Sequence, residues 1–155
     1  MSGRRAGTAA TWAGAVPIAA AAPPGHDYPM GTVLSTIVID SLDTHRLAAW
    51  WSLVLERPLA ADDGDEIALP PEGGVGPEIL FVPVTESKTV KNRLHLDLRP
   101  QNGSDQATEL QRLLDLGARR VDVGQGKDVP WVVLADPEGN EFCLLRLTPA
   151  QLDLA

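Results

Sequence analysis

The sequence predicts an α+β fold built from two copies of one βαβββ unit, and three observations predict it. Residues 33–83 and 92–147 each open with an alternating strand, at 33–40 and 93–99. Each strand runs into an amphipathic helix and then through two short strands. Each copy closes on a longer strand of matching pattern, Gly76-Pro-Glu-Ile-Leu-Phe81 against Gly139-Asn-Glu-Phe-Cys-Leu144. Such internal duplication predicts one shared sheet surface with a ligand cleft between the copies.

In the first copy, strand 33–40 places Ser35, Ile37 and Ile39 on one face and Thr36, Val38 and Asp40 on the other. Asp43 is positioned to cap a helix over 44–55, where Leu47, Trp50, Trp51, Val54 and Leu55 recur at helical spacing. That spacing makes the tryptophans core residues rather than an aromatic ligand box. Pro58 stops the helix, and Asp63-Gly64 offers a tight turn between short strands at 59–62 and 65–69. Pro70, Pro71, Gly73 and Gly74 form a loop before a closing strand at 77–84.

The second copy repeats the order. Strand 93–99 sets Leu94, Leu96 and Leu98 against His95, Asp97 and Arg99. Ser104 caps a helix at 105–116 with a buried stripe of Ala107, Leu110, Leu113 and Leu114, and Gly117 ends it. Strands near 119–123 and at 130–135 follow. Asp136-Pro-Glu-Gly139 carries type I turn residues at its first, second and fourth positions, and strand 140–147 completes the unit.

Of the 155 residues, 13 are Lys or Arg and 21 are Asp or Glu, a formal net charge of −8. Such a balance argues against nucleic acid and anionic membranes as partners, since phosphate-tracking surfaces need clustered cations. A single cysteine, Cys143, excludes an internal disulfide and a CxxC metal site. No apolar run reaches the ~20 residues of a membrane-spanning helix. Residues 1–29 are rich in Ala, Gly and Pro and read as a disordered leader ahead of a domain at 30–148, with 149–155 as a tail. Arg4-Arg5 imitates a twin-arginine signal, but Pro17 interrupts the Ala-rich stretch behind it, so the cytoplasm is the expected location.

Three separated motifs carry a family resemblance: Ile39-Asp40-Ser-Leu-Asp43 leading into Leu47-Ala-Ala-Trp-Trp51, Lys91-Asn-Arg-Leu-His-Leu-Asp97, and Asp136-Pro-Glu-Gly-Asn-Glu-Phe-Cys143. Together they resemble the vicinal oxygen chelate superfamily of glyoxalases, extradiol dioxygenases and bleomycin-type resistance proteins, and its glyoxalase-like domain subgroup in particular. The resemblance spans about residues 33–147. It implies a concave sheet cleft, a homodimer, and in metal-dependent members a ligand from the first and last strand of each copy. Those positions fall here on Thr36, His95, Leu80 and Cys143. Leu80 cannot coordinate and a Thr hydroxyl is a poor ligand for zinc, iron or nickel. Glu78 and Glu141 share the strand faces of Leu80 and Cys143 but stand two residues earlier, ~6.6 Å away along the strand. A site of His95, Glu141 and Glu78 is therefore the salvage arrangement for a divalent zinc, iron, manganese or nickel ion, and no metal is the favoured expectation.

The favoured reading is a glyoxalase-like protein that binds a small organic molecule, with Thr36, Glu78, Leu80, His95, Asp97, Trp131, Glu141 and Cys143 lining its cleft. Two alternatives stand beside it. One is a metal-dependent lyase, isomerase or dioxygenase of the same superfamily. The other is a metal-free enzyme with His95 as general base and Glu141 orienting it. The plain alternatives for the same residues are a cavity histidine bonded to Glu141 or Asp97, a structural Glu141 held by Arg93 or the Asn92 amide, and a core cysteine.

Overall fold

The structure, a computed structural model, describes residues 32–60, 64–126 and 128–152. The leader at 1–29 and Asp63 of the Asp63-Gly64 turn lie outside the described residues. Strand β1 (Thr36–Ser41) leads into helix α1 (Thr44–Leu55), whose first turn is capped where the Asp43 carboxylate accepts the Arg46 N–H at 3.0 Å. The helix ends one residue past Leu55, at Glu56, which adopts the left-handed conformation with φ 53°. Strands β2 (Ile67–Leu69) and β3 (Glu78–Pro83) flank a short 3-10 turn at Glu72–Gly74. Among the described residues the first copy shows three strands; the expected strand at 59–62 lies partly outside them, and the Ala60 N–H donates to the Ala68 carbonyl at 2.9 Å.

The second copy comprises β4 (Asp97–Leu98), α2 (Gln106–Asp115), β5 (Arg119–Arg120), β6 (Trp131–Ala135) and β7 (Glu141–Leu145). Its opening strand is far shorter than 93–99: Leu94 is 88% exposed, whereas Leu96 and Leu98 pack against the core as the alternation predicts. The cap of α2 is Asp105 rather than Ser104, because the Asp105 carboxylate accepts the Thr108 N–H at 2.8 Å. Ala107 is exposed, and the buried side of α2 centres on Leu113 with Leu110 and Leu114 packed beside it. The turn at 136–139 forms as expected, the Gly139 N–H donating to the Asp136 carbonyl at 3.0 Å with Gly139 at φ 93°. Residues Pro149–Leu152 are a short helix, α3, tied down where Ala150 N–H donates to Asn102.

Among the described residues the strands form two sheets, not one. The first has order β1-β3-β2, the second β4-β7-β6-β5, and in both the opening strand runs parallel to the closing one. The paired register Thr36↔Glu78 and Val38↔Leu80 puts these four on the outer face, while Ile79 and Phe81 face inward. In the second sheet Asp97↔Cys143 and Val133↔Cys143 share the outer face, while Leu134, Phe142 and Leu144 face inward. The inward sides of both sheets join α1 and α2 in a single apolar cluster. Trp50, Trp51 and Phe142 meet edge-on within it, with ring centroids 5.2 to 5.9 Å apart.

Polar links bind the copies at the same seam. Asp136, fully buried, accepts the Trp51 indole N–H at 3.1 Å along with donors from Glu138 and Asn140. The Glu138 carboxylate accepts from the Ser41 hydroxyl and from the Leu42 and Asp43 N–H groups, covering the start of α1. Arg112 on α2 donates to the Leu53 and Val54 carbonyls at the end of α1. Each helix end of the first copy is thereby completed by side chains of the second.

Candidate functional site

A cavity of about 440 Å³ lies on the outer face of the second sheet. Its floor is Val133, Cys143 and Leu145, with Trp131 at the rim and 36% exposed. The period of two along β6 and β7 places these residues together, since Trp131 pairs with Leu145 and Val133 with Cys143. One wall is the loop through Val123, Gly124 and Gln125. That loop is braced from within: the Gln125 amide bonds the Val123 N–H and the Val121 carbonyl, and Asp122 accepts the Gly124 N–H. The opposite wall carries Lys91, His95, Asp97 and Glu141.

These polar groups have distinct partners. His95 Nδ1 lies 2.9 Å from Asp97 Oδ1 and 3.7 Å from Cys143 Sγ. Burial pushes the Cys143 thiol up to about 11, and the Asp97 carboxylate adds to it by charge and by accepting its hydrogen bond. At neutral pH the group is a thiol, ill suited to nucleophilic attack. Glu141 is bound elsewhere: its carboxylate accepts from Lys88 Nζ at 3.0 Å and from the Asn92 N–H at 3.0 Å. Burial alone would raise its pKa; the Asn92 N–H and Lys88 outweigh that and hold it below the ordinary carboxylate value. The side chain that orients His95 is therefore Asp97, and Glu141 anchors the segment at 88–92 to β7.

The cavity brings together His95, Asp97, Trp131, Glu141 and Cys143 from among the residues singled out in the sequence. It does not include Thr36, Glu78 or Leu80, which lie on the outer face of the first sheet. Lys88, Lys91 and the 123–125 wall were not anticipated. Only the Gly124-Gln-Gly126 string was conspicuous, and it lacks the Lys and strand-to-helix setting of a phosphate loop. Among the described residues the group whose potential metal-ligating atoms converge is His95, Asp97 and Cys143, all within 4.8 Å of one another. The four-position set of metal-dependent relatives does not fit this chain, because Leu80 offers no donor and the Thr36 hydroxyl is a poor ligand for zinc, iron or nickel.

The model of the glyoxalase-like domain matches residues 36–145, both modules from first strand to last. The chain belongs to the glyoxalase-like domain family. Solved structures of the same fold include the fosfomycin resistance protein FosX from Listeria monocytogenes, 16% identical with TM-score 0.58, covering 79% of this chain and 96% of that one. The antibiotic binding protein TnmS3 from Streptomyces sp. CB03234 is 17% identical with TM-score 0.54, covering 77% and 98%. A glyoxalase/bleomycin resistance protein/dioxygenase family enzyme from Burkholderia phytofirmans PsJN is 17% identical with TM-score 0.56, covering 73% and 97%. At these identities the likeness establishes the fold of this glyoxalase-like protein and no more. No curated protein sequence matches it significantly. Among the described residues no helix is long and apolar enough to cross a membrane.

Proposed function

We propose that this glyoxalase-like protein binds a small organic molecule on the outer face of β4, β7 and β6, without the four-ligand metal set of its metal-dependent relatives. The observation that carries the reading is the cavity itself. Its volume of about 440 Å³ suits a small ligand, and an apolar floor of Val133, Leu145 and Trp131 stands beside a few fixed polar groups. TnmS3 is an antibiotic binding protein and FosX a fosfomycin resistance protein, so the fold carries small-molecule recognition in proteins of this size. The cytoplasm is the proposed location.

The proposed working form is a homodimer. The cavity is open on one side, and the outer face of the first sheet is unpaired, with Val38 56% exposed over Leu80. A second copy that laid this face over the cavity would bring Thr36, Glu78 and Leu80 to His95 and Cys143 from the opposite side. A metal-dependent lyase, isomerase or dioxygenase is the second reading, favoured by the convergence of His95, Asp97 and Cys143.

The test is a fragment screen by amide chemical shifts, run beside elemental analysis of protein made in metal-supplemented medium. Ring compounds should shift the amides of β6 and β7, and Val133→Trp, which fills the floor, should abolish the shifts. Shifts confined to the α1 and α2 surface would sink the reading. Near-stoichiometric zinc, iron, manganese or nickel that disappears in His95→Ala would replace it with the metal-dependent one.

A further inference from the structure

One imidazole nitrogen lies between a carboxylate and a thiol beside the cavity. Asp97 Oδ1 sits 2.9 Å from His95 Nδ1, and Cys143 Sγ lies 3.7 Å from that same nitrogen. Asp97 as a carboxylate has no proton to give, so the short contact to Nδ1 requires the imidazole to carry its proton there. A neutral imidazole holds one N–H, and the other ring nitrogen is then a bare acceptor. Among the described residues Nε2 has no hydrogen-bond partner, while the ring lines the cavity with its side chain 42% exposed.

We propose that Asp97 fixes His95 as a hydrogen-bond acceptor toward the cavity, and that the ligand of this site is an apolar ring compound presenting an O–H or N–H donor. The inference rests on the cavity being a ligand site and adds the ligand's chemistry to it. The surroundings agree with a donor on an uncharged molecule. Val133, Leu145 and Trp131 offer a flat apolar bed, and Trp131 can stack on a ring. Asp97 disfavours a carboxylate placed against His95, Glu141 is already matched by Lys88, and the wall's other ammonium, Lys91, donates to the Asn92 carbonyl at 3.0 Å and stands as the counter-charge to Asp97. A ligand with only acceptors would leave Nε2 desolvated and unpaired, which is the costly outcome for a buried polar atom. Asp97 acts through His95 and is a positioning residue.

Long-range proton–nitrogen correlation spectra of the full chain read the tautomer directly, and a matched pair of probes reads its consequence. In the parent protein His95 should show the Nδ1–H form with Nε2 unprotonated. 2-Naphthol should then bind about tenfold more tightly than 2-methoxynaphthalene, which has the same ring and no donor. Asp97→Ala should mix the tautomers and reduce the preference, read as the ratio of the two affinities, to about twofold or less. His95→Phe, which keeps a flat ring and removes the acceptor, should bring the ratio of the two affinities to about one. An Nε2–H tautomer in the parent overturns the proposal, as does equal affinity for the two probes, and either result leaves the cavity reading standing. If neither probe shifts the β6 and β7 amides, the cavity reading falls and the proposal falls with it.

Discussion

At Glu141 a carboxylate in a largely covered position is held by a lysine and a backbone amide, and this makes it sensitive to acid. Its folded-state pKa lies below the ordinary value, Asn92 and Lys88 outweighing burial. A group shifted in that direction stabilises the fold above its unfolded pKa of about 4.3, and the contribution is lost as pH falls through the lower folded value. Glu141→Gln keeps the shape and removes the charge. It should be about 1–2 kcal/mol less stable near neutral pH, and its stability should fall less steeply below about pH 4.3. Urea unfolding of both proteins across that range is the check. Parallel pH profiles would show that Lys88 and Asn92 do not grip the carboxylate in solution. Cys143 and His95 complete the residue scale: burial, with the Asp97 charge adding to it, keeps the thiol protonated, and Asp97 holds the imidazole, so neither group is set up as the nucleophile–base pair that their proximity invites.

The elements are joined by the turn between β6 and β7. The carboxylate of Asp136, the residue that opens it, accepts four hydrogen bonds, three from Glu138 and Asn140 within and just after the turn and one from Trp51 on α1. Asp136 is fully buried, so each donor matters more than at a surface. Trp51→Phe removes the indole donor and some ring volume while keeping an aromatic beside Phe142. It should cost about 2–4 kcal/mol, from the lost hydrogen bond together with the lost packing. Paired with Asp136→Asn in a double-mutant cycle, the substitutions should be coupled by at least about 0.5 kcal/mol. Additive effects would place the junction's strength in the apolar cluster alone. Glu138 plays a complementary part, because its acceptance of the Leu42 and Asp43 N–H groups ties the turn of one copy to the first helix of the other.

At the scale of the whole molecule, the inward faces of both sheets are spent on one core, and the outer faces are left to solvent or to a second copy. A dimer of the 16.5 kDa chain is the expected species by light scattering. Val38→Lys, on the exposed face of β1, should shift it to monomer with the unfolding midpoint of the monomeric fold retained. The same variant should loosen ligand binding in the cavity although Val38 is not part of its wall. A parent protein that is monomeric at high concentration would confine the site to one module.

Helix α1 was legible in the chain to the residue, because Asp43 as cap and Leu47, Trp50, Trp51 and Val54 at helical spacing are local signals that the core then reinforces. The same holds for the turn at 136–139, whose Asp and Gly positions encode backbone geometry directly, and for the facing of β1, β3 and β7, since a period of two assigns sides without knowing partners. Strand 93–99 was not legible, because alternation names a face but cannot say whether a neighbouring strand exists to pair with it, and only Asp97 and Leu98 find one. Ser104 and Asp105 are both good caps, and the choice fell to the residue whose carboxylate reaches Thr108. Which polar groups share the cavity was likewise a tertiary decision. Asp97 rather than Glu141 meets His95 because Lys88 and Asn92, far away in sequence, claim Glu141 first. The sequence by itself determined the duplicated unit and the chemistry on each strand face. The packing of both inward faces into one cluster decided that those chemistries lie on two sheets, since apolar surface on each copy is removed from water most fully when the copies cover one another.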